Sequence, residues 1–146
     1  MNKNRIGLFL LLFLLISSVV AAFSPGEKVV LAFPKIEINK GERIVGFDLS
    51  VTTGQVTAIS KIPKDWTVND SAEQSSETTI SGGCVHGAGA LYNSTELPQV
   101  TVIVDKPFDP SLKFSAKAKI TVTADFENTR EIELPFERLE IRKDGI

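Results

Sequence analysis

The sequence predicts an all-β fold: a single antiparallel β-sandwich of about eight or nine strands, after an N-terminal signal peptide. Three observations lead there. Apolar and polar residues alternate with a period of two through much of residues 23–146, the mark of strands with one buried and one wet face. Turn-forming residues recur roughly every 8 to 12 positions, as in a sandwich. No stretch of useful length carries a helical period.

Residues 1–22 form the leader. Asn2, Lys3, Asn4 and Arg5 give a polar, positive start, an apolar run fills residues 6–16, and Val20-Ala21-Ala22 supplies the small residues signal peptidase accepts. An uncleaved anchor is the rival reading, but a spanning helix needs roughly 20 apolar residues, and residues 6–23 offer 18 with two serines inside. The membrane therefore enters only through the leader, if it stays uncut. The domain, residues 23–146, is expected to be exported: periplasmic, cell-surface or secreted. At about 124 residues it can bury one real core without a disulfide scaffold.

Residues 28–33 and 35–38 are short apolar segments split by Pro34, as in an edge strand that crosses between sheets. Val45, Phe47, Leu49 and Val51 then alternate with Gly46, Asp48, Ser50 and Thr52, and Thr53-Gly54 turns the chain into a run over 55–62 closed by Pro63. The most polar stretch, 71–77, reads as a mobile loop. Segments 78–80, 85–92 and 100–104 read as strands, and Asp105-Lys106-Pro107-Phe108-Asp109-Pro110 as a rigid connector. The clearest strand is 114–124, with Phe114, Ala116, Ala118, Ile120, Val122 and Ala124 on one face and Ser115, Lys117, Lys119, Thr121 and Thr123 on the other.

Its partner follows, with Ile132, Leu134 and Phe136 inward and Glu131, Glu133 and Glu137 outward. Setting Ile132 opposite Val122 places Leu134 across from Ile120, Phe136 across from Ala118 and Glu137 across from Lys117, with Glu133 diagonal to Lys119. Pro135 and the parity shift towards Leu139 and Ile141 point to a bulge or an edge. Six of the seven phenylalanines after the leader (33, 47, 108, 114, 126 and 136) belong to strands or their ends and are expected in or near the core.

Charge excludes one class of partner. The leader holds two of the 16 basic residues and none of the 18 acidic ones, so the remainder carries a net charge of −4. With no basic stripe, such a surface is repelled by a phosphate backbone, and nucleic acid is excluded as the expected partner.

Several residues could carry chemistry. Cys84 and His86, the only cysteine and histidine, sit two apart, which on a strand puts both on one face roughly 6.5–7 Å apart. They could serve as nucleophile and base or as two ligands of a metal; equally, the glycine-rich segment 82–90 around them reads as a tightly packed strand. Those glycines lack the following Lys-Ser or Lys-Thr and the helix of a phosphate loop. Asp65, Asp70, Asp105 and Asp109 are loop acids that could hold a structural calcium, though their spacing matches no calcium loop. No catalytic residue and no other cofactor is expected.

Trp66 and Tyr92 are candidate ring contacts for a glycan. Lys117 and Lys119, on the wet face of their strand, are candidates for a protein-binding surface. Asn69-Asp70-Ser71 and Asn93-Ser94-Thr95 fit the glycosylation sequon.

The run Arg43-Ile44-Val45-Gly46-Phe47-Asp48-Leu49-Ser50-Val51, followed by Gly54 and Val56-Thr57-Ala58-Ile59, resembles the cohesin and carbohydrate-binding-module group of bacterial and archaeal sandwiches. Cohesins similarly place a Gly-Phe-Asp-hydrophobic-Ser strand before a short turn. The resemblance implies a sandwich fold and a role in protein–protein or surface assembly. Where cohesins carry a Tyr-Asp-Pro-like turn this chain has Thr52-Thr53-Gly54-Gln55, so no dockerin-binding residue transfers.

Three functions are therefore expected to compete: a non-enzymatic assembly module for a protein of the cell envelope or extracellular matrix, a glycan-binding module using Trp66 and Tyr92, and a small thiol or metal site at Cys84 and His86.

Overall fold

A computed structural model describes residues 23–72 and 76–144. The expected leader, the middle of the polar segment 71–77 and residues 145–146 lie outside the described residues.

These residues form nine strands: β1 (Lys28–Ala32), β2 (Arg43–Thr52), β3 (Gly54–Ser60), β4 (Trp66–Ala72), β5 (Glu77–Cys84), β6 (Gln99–Val104), β7 (Ser115–Thr123), β8 (Thr129–Leu134) and β9 (Glu140–Lys143). They build two antiparallel sheets, one ordered β3-β6-β1-β9 and the other β4-β5-β2-β7-β8. The predicted all-β sandwich is what forms.

Alternation decides which side of each strand is dry. Val29 and Leu31 of β1, Val100 and Val102 of β6, Leu49 and Val51 of β2, Ile80 of β5, and Ile120 and Val122 of β7 are almost wholly buried and meet in one core. Burial of each such side chain is worth about 1.5–3 kcal/mol, which is why the period of two survives so clearly in the sequence.

Several expectations need correction. In β2, Ile44 is buried and Val45 is not. A bulge between Ile44 and Gly46 resets the alternation, so Ile44 and Phe47 both reach the core. β1 is not an edge strand; it lies between β6 and β9. Residues 35–38 pair with no strand. Instead the Ile36 amide donates to Ser94 Oγ at 2.9 Å, while Ser94 donates to the Pro34 carbonyl at 2.5 Å, and a buried hydroxyl holds the segment where a ladder would otherwise be needed.

β4 is an edge strand, and with only Trp66 and Val68 as large apolar residues on its inner face it leaves little signal in the sequence. β5 runs on to Cys84, since Gly82 leaves room for the Phe47 ring that lies against it. Beyond Cys84 the expected strand 85–92 is absent. The Val85 amide donates to the Asp65 carbonyl, Gly87–Gly89 make a 3₁₀ turn, and only a single bridge, Ile44 to Leu91, follows.

The β7–β8 register also differs by two residues. Ile132 faces Ile120, Leu134 faces Ala118, and Glu133 stands directly opposite Lys119. The turn is tighter than expected because Asp125 accepts from the amides of Glu127 and Asn128, while Thr123 Oγ1 donates to the Asn128 carbonyl at 2.6 Å. Phe136 is therefore not a β8 residue but opens the 3₁₀ turn Phe136–Arg138. The shift in parity at Pro135 is a change of sheet, since β8 belongs to one and β9 to the other. Phe108 and Phe126, expected near the core, are 99% and 51% exposed.

Candidate functional site

With the inner faces committed to the core, chemistry must be sought on outer faces and loops. The outer face of the five-stranded sheet carries the most ordered polar array. The registers line up Asn69 of β4, Ser81 of β5, Asp48 of β2, Lys119 of β7 and Glu133 of β8 in one row across all five strands. Beside it, Ser71, Thr79, Ser50 and Lys117 form a second row. On the other flank a third row holds Gly83 and Gly46 between Thr67 and Thr121, leaving backbone without side chains in the middle of that row.

Local bonds organise the charges. Ser81 Oγ donates to Asp48 Oδ1 at 2.6 Å. Lys119 Nζ lies 3.8 Å from Glu131 Oε2, with both side chains about half exposed, so that pair contributes little stability by itself. Lys117 and Lys119 thus project side by side, bordered by carboxylates. Asp48, Ser50, Lys117, Lys119, Glu133 and Glu137 line a shallow groove of about 840 Å³ along this face. The sequence shows the lysines; it does not show that Asp48 and Ser50, five strands earlier in chain order, stand next to them, because adjacency across β2 and β7 is a property of topology.

The expected ring pair does not form a platform. Trp66 is 8% exposed; its ring stacks on Phe47 at 6.2 Å between centroids, and its Nε1 donates to the Gly89 carbonyl. Tyr92 is exposed, with the Arg43 guanidinium 4.7 Å over its ring, a cation–π contact that occupies one face. Burial of Trp66 removes it as a sugar contact, which corrects the expectation.

Nor do Cys84 and His86 stand together on a strand. Cys84 ends β5, half-buried, with its thiol pKa raised by burial. His86, exposed, precedes the 3₁₀ turn and accepts the Gly89 amide on its carbonyl. A raised thiol pKa is the reverse of what activates a cysteine nucleophile.

The four acids do not converge on one point either, although Asp70 and Asp105 line a common pocket. The Asp65 carbonyl holds Val85; Asp105 accepts from Gln55 Nε2 and the Lys106 amide; Asp109 accepts from the amide and hydroxyl of Ser111, which lower its pKa; Asp70 is exposed on β4. Among the described residues no group of three or more His, Cys, Asp or Glu is placed to hold a metal ion. Of the sequon asparagines, Asn69 is exposed on β4, whereas Asn93 accepts the Thr95 amide and caps a 3₁₀ turn.

No known protein family matches the chain, and no curated protein or solved structure matches it significantly.

Proposed function

We propose that this chain is a non-enzymatic, exported β-sandwich module that joins a protein of the cell envelope or extracellular space through the outer face of its five-stranded sheet. The observation that carries this reading is the five-residue row from Asn69 to Glu133, with Lys117 and Lys119 framed by acids. Mixed charges at fixed spacing select a complementary partner and its orientation more than they add affinity. The cohesin-like run at 43–59 supports the same role, since its Asp48 and Ser50 stand on this face.

The test is a pull-down from envelope extract with the wild type and with a Lys117→Glu/Lys119→Glu double variant, checked for folding by circular dichroism. A stoichiometric partner recovered by the wild type and lost by the folded variant is expected. Equal recovery by both, or no stoichiometric partner for the wild type, would sink the reading. Cell fractionation tests export independently: the protein is expected outside the cytoplasm.

A further inference from the structure

At the end of the sandwich opposite Trp66, a cavity of about 560 Å³ opens between the β2–β3 crossover from one sheet to the other, the β6–β7 connector and the segment before β1. That volume is in the range of small-molecule sites. Its walls are mostly apolar. Phe23 meets Phe114 edge-on at 5.6 Å, Phe114 meets Phe136 edge-on at 6.1 Å, and Pro25, Pro107 and Leu112 add to the apolar wall.

Exposed Asp105, Lys113 and Ser115 also line it, and Thr53 is its one buried polar residue. Thr53 is 3% exposed, and its Oγ1 is a buried side-chain atom without a hydrogen-bond partner. Buried polar groups are almost always paired, because an unpaired one forfeits its bond to water. The backbone there is unusual too. Thr53 has φ of 59°, a left-handed conformation that is an outlier for a β-branched residue. It is held in place from both sides: its amide donates to the Ser76 carbonyl, and its carbonyl accepts the Asp105 amide, each at 2.7 Å. Glycine or asparagine meets the demands of that turn at less strain, so the turn alone does not account for a threonine.

We propose that this cavity binds a small monocyclic aromatic molecule bearing one hydrogen-bonding group, with Thr53 Oγ1 as its polar contact. The edge-to-face rings supply the geometry in which another aromatic ring packs well. The strained β2–β3 crossover fixes Thr53 in the lining, and strain of this kind persists where surrounding structure enforces it, often at ligand sites. Because Oγ1 is sealed from water, reaching it takes rotation of a lining side chain, an ordinary adjustment on binding. The cavity borders the groove on the outer sheet face, sharing Ser115 and Phe136 with it, but its contact is Thr53 and not Lys117 or Lys119, so the two proposals stand or fall independently.

Phenol is the probe, titrated into ¹⁵N-labelled protein and followed by amide shifts. The expected result is saturable shifts confined to the cavity residues, Thr53, Leu112, Phe114 and Phe136 among them. Affinity should fall about tenfold in Thr53→Val, the loss of roughly one buried hydrogen bond, and be retained in Thr53→Ser. Toluene should bind the wild type more weakly than phenol. Absence of saturable shifts, shifts centred elsewhere, or equal phenol affinity for the wild type and Thr53→Val would overturn the proposal. The last outcome is what a bridging water on the hydroxyl would give.

Discussion

The indole nitrogen of Trp66 donates to the carbonyl oxygen of Gly89 across 2.6 Å. The bond joins the first residue of β4 to the turn that follows β5, beneath a ring stacked on Phe47. It makes the only tryptophan of the chain a structural tie between a sheet edge and a loop. Trp66→Ala is expected to cost about 3–5 kcal/mol, and Trp66→Phe, which keeps a ring but strands the Gly89 carbonyl, about 1–3 kcal/mol. Urea unfolding midpoints check both, and a neutral Trp66→Ala would refute the buried placement.

The same burial is open to a direct optical check. Native Trp66 emission should resist acrylamide and become quenchable on unfolding. Strong quenching in the native state would restore the ring as a candidate glycan contact.

Gly82 lies under the Phe47 ring, so a methyl group there would fall within the ring's own contact distance and also press on Val68. Gly82→Ala is expected to destabilise by about 1–3 kcal/mol through overpacking. Combining it with Phe47→Leu should cost less than the sum of the two single changes, because the residues share one space. Additive losses would show that the glycine is needed for another reason.

Burial raises the Cys84 thiol pKa, and the thiolate is the reactive form. Labelling by a thiol reagent should therefore be slower in the native protein than in denaturant. Its rate should climb at a pH above the ordinary thiol value of about 8.5. Fast labelling at neutral pH would revive Cys84 and His86 as a reactive pair.

Asp125 accepts hydrogen bonds from the Glu127 and Asn128 amides and the Asn128 side chain, and those donors hold its carboxyl well below the usual carboxylate range. A depressed native pKa adds stability that is fully present above the unfolded value near 3.9 and fades as pH falls towards the native one. Asp125→Ala should accordingly unfold at lower denaturant than wild type at pH 7, with the gap closing progressively below about pH 4. A gap that stays constant with pH would assign the loss to turn geometry rather than to charge.

Much of the fold was legible from alternation alone, most clearly in β7, where burial on one face and charge on the other left an unbroken pattern. Legibility failed where something other than a face of the core set the structure. β4 is an edge strand and needs few apolar residues. The bulge at Val45 changes parity without changing composition. Ser94, rather than a strand partner, holds residues 35–38. The register of β8 depends on hydrogen bonds inside a turn, which no apolar pattern encodes. Of the candidate site, Lys117 and Lys119 could be placed on a wet face from β7 itself, whereas Asp48 and Ser81 could not be set beside them without the strand order. The side Trp66 takes is not legible, because an aromatic ring next to a turn looks the same in sequence whether it faces inward or outward.

The pairing of β1 with β9 bears on how the protein would respond to mechanical load. The two strands run antiparallel, and the Asp144 amide donates to the Lys28 carbonyl at 2.9 Å, so the start of β1 and the end of β9 lie at the same corner of the sandwich. Tension applied between them would open that ladder one rung at a time instead of loading all its bonds at once. Tethered by both flanks, the domain would peel apart at low force; tethered by one flank and gripped through the far sheet, it would meet the pull with its ladders in shear.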